Sequence, residues 1–206
     1  MSATLRTKVA GIDIAQLAAF GGTPDTVSGR MSGAATLTGA GADIAGLLRS
    51  ARGQGNATIV DGSIRRLHLI RTIVLFFGRP APDAEAATDR FNRVEMSFSL
   101  ADRRVSAEAF SLSSTDADMA GSGTLHLESD VLDGRVDISL SEALSAQAGT
   151  DVYRYTREGN RIVLPASIGG TLGAPRLAID AGAAVRRGLR NEVERRLKGV
   201  LDGLGR

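Results

Sequence analysis

Four groups of residues have the type and spacing for chemistry. In Thr36–Leu48, TLTGAGADIAGLL, an alternating run meets Gly39-Ala40-Gly41 and then an apolar segment. That is the strand, glycine turn and helix layout of a phosphate cradle. A dinucleotide fingerprint needs a third glycine where Ile44 stands, and a P-loop needs Gly-Lys-Ser/Thr where Ala42-Asp43 stands. Asp43 at a helix start would also repel the anion. The carboxylates Asp116 and Asp118 are two apart, which on a strand puts them on one face, and Asp130 and Asp133 flank a turn. Paired carboxylates cleave glycosides only at a defined separation in a cleft. No aromatic platform is close in sequence, so they read as surface-turn residues. Ser122, between Gly121 and Gly123 at a strand end, lacks the G-x-S-x-G elbow. His68 and His126 lack metal-site spacing, and the chain has no cysteine, so thiolate sites and disulfides are excluded. These residues predict no enzyme, no cofactor and no metal.

The rest of the sequence must therefore carry the function through its elements. With 43% apolar and 23% charged residues among 206, the chain has the composition of a folded protein. Its net charge of +2 is unevenly placed. Ala183–Arg206 holds seven basic residues against Glu192, Glu194 and Asp202, a net +4, so the remainder carries −2. The basic character belongs to the tail, which argues against nucleic acid as a partner. The mid-chain apolar run Ile73–Phe77 has five residues, where a spanning helix needs about 20. The N-terminal stretch lacks the apolar core of a targeting segment.

The pattern G-x-D-I-A-x-L occurs twice, as Gly11–Leu17 and Gly41–Leu47. Each copy predicts a strand that turns into a short helix, with Asp13 and Asp43 as N-caps. Gly53-Gln54-Gly55 reads as a turn, 55–62 as a short strand, and Ser63 as the cap of a helix reaching Phe77. Leu67, Ile70, Val74 and Phe77 form one stripe of that helix and Leu69, Ile73 and Phe76 another. Such an all-round apolar helix predicts deep burial or a lipid-like neighbour. From Phe91 the period becomes two. Val94, Met96, Phe98 and Leu100 alternate with polar residues, and Val105–Leu112 returns with a phase slip at Ala109-Phe110 that predicts a bulge. Gly121, Gly123, Leu125 and Leu127 form the next strand, and Leu132, Gly134, Val136, Ile138 and Leu140 another. A short helix or loop falls within 141–155, strands over 161–171 and 176–180, and an amphipathic helix over 183–204. Val185, Leu189, Val193, Leu197, Leu201 and Leu204 share one face of that helix, opposite arginines. It is expected to cap the open end of the sheet or to dock a protein, in preference to lying on an anionic membrane, because Glu192 and Glu194 dilute its basic face.

The segments 32–64, 88–105, 116–140 and 164–180, with Asp61-Gly62-Ser63-Ile64, Gly121-Ser122-Gly123 and Gly170-Thr171-Leu172-Gly173-Ala174-Pro175, together resemble the C-terminal domain of the AsmA family. That family is related to bridge-like lipid-transfer proteins. Thr88-Asp89-Arg90-Phe91 departs from the family's T-x-F element by one residue. The resemblance implies an α+β, mainly antiparallel β fold. It is a strongly curved sheet forming a hydrophobic groove, with short helices in the N-terminal half and a C-terminal amphipathic helix. Residues 1–182 would form this domain and 183–206 the basic helix. The resemblance further implies a periplasmic module of an inner-membrane-anchored protein serving outer-membrane lipid transport, with the anchor outside this chain. Its partners would be phospholipid or another acyl lipid, together with envelope proteins. The residues expected to line the groove are Leu67, Ile70, Ile73, Val74, Phe77, Val94, Met96, Phe98, Leu100, Leu125, Leu127, Val136, Ile138, Leu140, Ile162 and Leu164. A non-enzymatic envelope scaffold or protein-interaction module, its core closed by its own side chains, is the alternative.

Overall fold

A computed structural model describes residues 2–20, 27–64, 67–77, 89–147, 157–190 and 193. In chain order the elements are β1 (Ser2–Asp13), α1 (Ile14–Phe20), β2 (Val27–Ala40), α2 (Ile44–Arg49), β3 (Arg52–Ile64), α3 (Leu69–Phe76) and β4 (Asp89–Ala101). There follow β5 (Arg104–Ser113), β6 (Ala117–His126), β7 (Leu132–Leu140), α4 (Glu142–Gln147), β8 (Arg157–Glu158), β9 (Arg161–Thr171), β10 (Ala174–Ile179) and a helix over 181–190, here α5. The strands form one antiparallel sheet in the order β1-β2-β3-β4-β5-β6-β7-β9-β10, with β8 paired to β9. It is almost a pure meander, and its two edges, β1 and β10, do not meet.

The register sorts the side chains into two faces, because alternate residues of a strand point to opposite sides. One rung reads Ile12, Met31, Ile59, Val94, Leu112, Met119, Ile138 and Leu164 across eight strands. A second, nearer the other strand ends, reads Leu5, Leu37, Gly53, Leu100, Val105, Leu125 and Leu132. The rung beside it, one residue along, is Arg6, Thr36, Gln54, Ser99, Ser106, Thr124 and Asp133. One face is thus mainly apolar and the other mainly polar. Bulges keep the phase. The expected slip in β5 appears as a register shift between Ala107 and Phe110.

The core lies between the first rung and α3. Ile59, Leu69, Ile73, Val94, Leu112, Met119, Ile138 and Leu164 are buried there, with Leu67, Phe91, Val136, Leu140 and Ile162. α4 closes the same end, where buried Ser145 Oγ accepts the Ile162 amide at 3.0 Å. Arg161 ties β6, β7 and β9 together. Its guanidinium donates to the Leu140 carbonyl (2.6 Å), the Ser139 carbonyl (2.8 Å) and Asp118 (2.7 Å).

Both copies of the repeat turn from strand to helix as expected. The Ala15 amide donates to Asp13 Oδ1 at 3.0 Å and the Gly46 amide to Asp43 Oδ1 at 2.6 Å. Gly39 is required by close approach. A Cβ there would stand 2.5 Å from the Leu47 carbonyl oxygen, so the missing side chain lets α2 fold against β2. The stretch with the look of a phosphate cradle is filled by its own backbone.

Several expectations need correction. Gly53 and Gly55 lie inside β3, not in a turn. A Cβ on Gly55 would stand 2.7 Å from Phe98 Cζ, so the glycine makes room for that ring. β3 runs through Ser63 and Ile64, and α3 starts only at Leu69. Ser63 caps nothing; its hydroxyl pairs with Ser28 at 2.8 Å. The cap of α3 comes from Asp89 on β4, which accepts the Leu69 amide at 2.9 Å and the Ile70 amide at 3.5 Å. Gly121 and Gly123 lie inside β6, Leu127 lies in the turn beyond it, and Asp116 precedes it, so Asp116 and Asp118 share no strand face.

Asp89→Ala should lower the unfolding free energy by about 0.5–2 kcal/mol, the usual range for a lost helix cap. A urea titration with an unchanged slope checks it.

Candidate functional site: the uncovered half of the apolar face

Among the described residues, the apolar face is larger than the helix that covers it. α3 joins β3 to β4 at one end of the strands, so it reaches only the rungs near that end. None of Leu5, Leu37, Leu100, Val105, Leu125 or Leu132 belongs to the packed core or packs against it. Leu5 is 58% exposed, and the other five are half-buried. Between the two large-residue rungs runs Thr7, Ala35, Gly55, Phe98, Ala107, Gly123 and Gly134. Small side chains there make a low floor broken only by Phe98. The result is an apolar strip lying across the strands from β1 to β7. At about 4.8 Å per strand, six steps span roughly 29 Å.

The expected groove residues divide between the two halves. Leu67, Ile73, Val94, Val136, Ile138, Leu140, Ile162 and Leu164 are buried, and Ile70, Phe77 and Met96 pack against them. Val74 is half-buried on α3. Phe98, Leu100 and Leu125 lie on the uncovered strip, and Leu127 is 45% exposed just past it. Leu5 and Leu37 extend the strip and were not expected there. Their signal was the alternation within β1 and β2, which glycines partly obscure. Val105 and Leu132 were expected as strand residues only.

The polar face has two hollows, of about 680 and 640 Å³. The first is walled by Arg6, Lys8, Thr36, Gln54, Asn56, Ser97, Ser99 and Glu108, with Thr7, Ala35, Gly55 and Phe98 of the strip's floor also along it. The second lies under the start of α5, near Arg135, Asp137, Ser122 and Ser167. Both hollows set charged side chains beside apolar ones. His68, expected on the apolar helix, instead precedes α3 with φ of 52°, and its buried Nδ1 has no partner among the described residues.

Two carboxylates around the filled half titrate in opposite senses. Burial pushes Asp89 up, against the pull of the Leu69 and Ile70 amides and the nearby His68. Burial also acts upward on Asp118, but the hydrogen bonds from Arg161 and Ser113 and the Arg161 charge outweigh it and hold that carboxyl low. A raised folded-state value means that the folded protein takes the proton first. Asp89 should therefore add stability as pH falls from its raised value toward 3.8. Asp118 contributes fully above 3.8, and that contribution is lost as pH falls through its depressed folded value. Asp89→Asn should remove the first trend and Asp118→Asn should flatten the second, in denaturation midpoints measured across the acid range.

No helix among the described residues is long and apolar enough to cross a membrane. The chain matches no protein-family model, no curated protein and no solved structure.

Proposed function

We propose that the uncovered half of the apolar face binds acyl chains, and that the protein is a lipid-binding or lipid-conducting module of the bacterial envelope. The carrying observation is the rung from Leu5 to Leu132, apolar across seven strands yet outside the packed core. An acyl chain laid along the strip replaces water at about 0.8 kcal/mol per buried CH₂. Its headgroup stays in water at the strand ends. Curvature of the sheet about the strip would turn it into a groove. The resemblance to the AsmA C-terminal domain supports the periplasmic setting, an inner-membrane anchor supplied outside this chain, and a role in outer-membrane lipid transport.

The scaffold reading draws on the filled half, where α3 already supplies what a lipid would. Native mass spectrometry of detergent-free protein, with uptake of a fluorescent phospholipid, separates the two. Bound phospholipid and saturable uptake are expected. Neither would occur if the face served only as a scaffold.

A further inference from the structure

The helix α5 sits on the polar face of the sheet with its apolar side outward. Its contact with the sheet is made by small residues and one arginine. Ala184 is 2% exposed, Gly188 is buried, and Arg187 grips Asp137 on β7 with both terminal guanidinium nitrogens, at 2.7 and 3.0 Å. The Ala183 amide donates to Asp180 Oδ1 at 2.8 Å and fixes the start. Over 181–190 the aliphatic side therefore faces away from the sheet. Capping by the aliphatic side is not what holds the helix, since Val185, Leu189 and Val193 are 59%, 56% and 56% exposed. Leu197, Leu201 and Leu204 lie outside the described residues.

These three aliphatics recur every fourth residue and so form one stripe along the outer surface. Arg186 and Arg190 flank it, both exposed and neither in an ion pair with a described residue. Residues 181–190 contain no acid. We infer that the outer side of α5 docks on an anionic lipid surface, with the aliphatic stripe among the acyl chains and Arg186 and Arg190 at the headgroups. The charge pattern selects this occupant. A second copy would bring together two segments that each stay net positive with Glu192 and Glu194 counted, and like net charges at close range oppose association. The net +4 of Ala183–Arg206 in a chain whose remainder carries −2 adds long-range attraction to such a surface. Docking uses the face of the sheet opposite the acyl strip, so the proposal stands independently of the function proposed above.

The test uses the full chain and extruded vesicles. Wild-type protein should sediment with vesicles of phosphatidylcholine containing phosphatidylglycerol, at least tenfold more strongly than with phosphatidylcholine alone, and raised salt should release it. Val185→Asp with Leu189→Asp should reduce binding at least tenfold, and Arg186→Glu with Arg190→Glu likewise. The melting temperature should hold, since all four side chains are exposed. Leu100→Glu with Leu125→Glu, which target the acyl strip, should leave sedimentation unchanged. Equal binding to neutral vesicles, no binding at all, or loss of binding only in the acyl-strip variant would overturn the proposal. So would a doubled mass by light scattering that Leu189→Asp abolishes, because the stripe would then cover a second copy.

Discussion

Ile138→Ala is expected to lower the unfolding free energy by about 2–5 kcal/mol, while Leu5→Ala stays within about 0.5 kcal/mol. The two residues lie on the same apolar face of one sheet. Ile138 has no exposed surface and stands between Met119 and Leu164 on the rung beneath α3. Removing its side chain loses transfer free energy and leaves a cavity that strands on both sides prevent from collapsing. Leu5 stands at the far end of the second rung, on the edge strand, and is 58% exposed. It has little burial to lose. A large part of a typical stability of roughly 5–15 kcal/mol is at stake in the first variant and almost none in the second. Urea midpoints at constant slope measure both. A comparable cost at Leu5 would show that the second rung is packed, which is what a closed scaffold requires.

The sequence made the strands legible wherever one face was apolar and the other polar without interruption. Val94 to Leu100 and Val136 to Leu140 keep that alternation, and the slip at Ala109-Phe110 marked a bulge because it broke it. Asp13 and Asp43 were legible as caps since the amides they receive lie two and three residues away. The end of β3 was not. Asp61-Gly62 looks like a terminating turn, yet the strand continues: Asp61 adopts a φ of 52° and its carboxylate pairs with Arg30 at 2.9 Å, while Gly62 stays in register with Phe91. Nothing local to α3 could show that Asp89, twenty residues after Leu69, receives its first amide.

The inward side of α5 is hidden from the sequence for a related reason. Helical periodicity finds the aliphatic stripe, but it is blind to the surface beneath. The sheet offers α5 its polar side, with Asp137 in reach, so an arginine and two small residues turn inward. The division of the apolar face was equally hidden. Leu100 and Ile138 carry the same alternation signal. Only the register, which places one near the open strand ends and the other under α3, separates an uncovered surface from a core.

That separation gives the test with the largest expected change in binding. Leu100→Glu combined with Leu125→Glu should cut co-purified phospholipid at least tenfold while the far-ultraviolet spectrum persists. The two leucines flank Val105 on one rung, so the pair places two carboxylates within a short stretch of the strip. A carboxylate against acyl chains without a partner is strongly disfavoured, whereas in the empty protein the same half-buried positions keep contact with water. The matched control moves one residue back along each strand. Ser99→Glu with Thr124→Glu adds the same charge on the same two strands, but on the polar rung that faces away. Because side chains alternate with a period of two, lipid binding should survive there. Loss in both pairs would point to net charge or instability, and loss in neither would leave the strip without its ligand. Loss in the leucine pair alone would tie acyl binding to the apolar strip that the described residues leave uncovered.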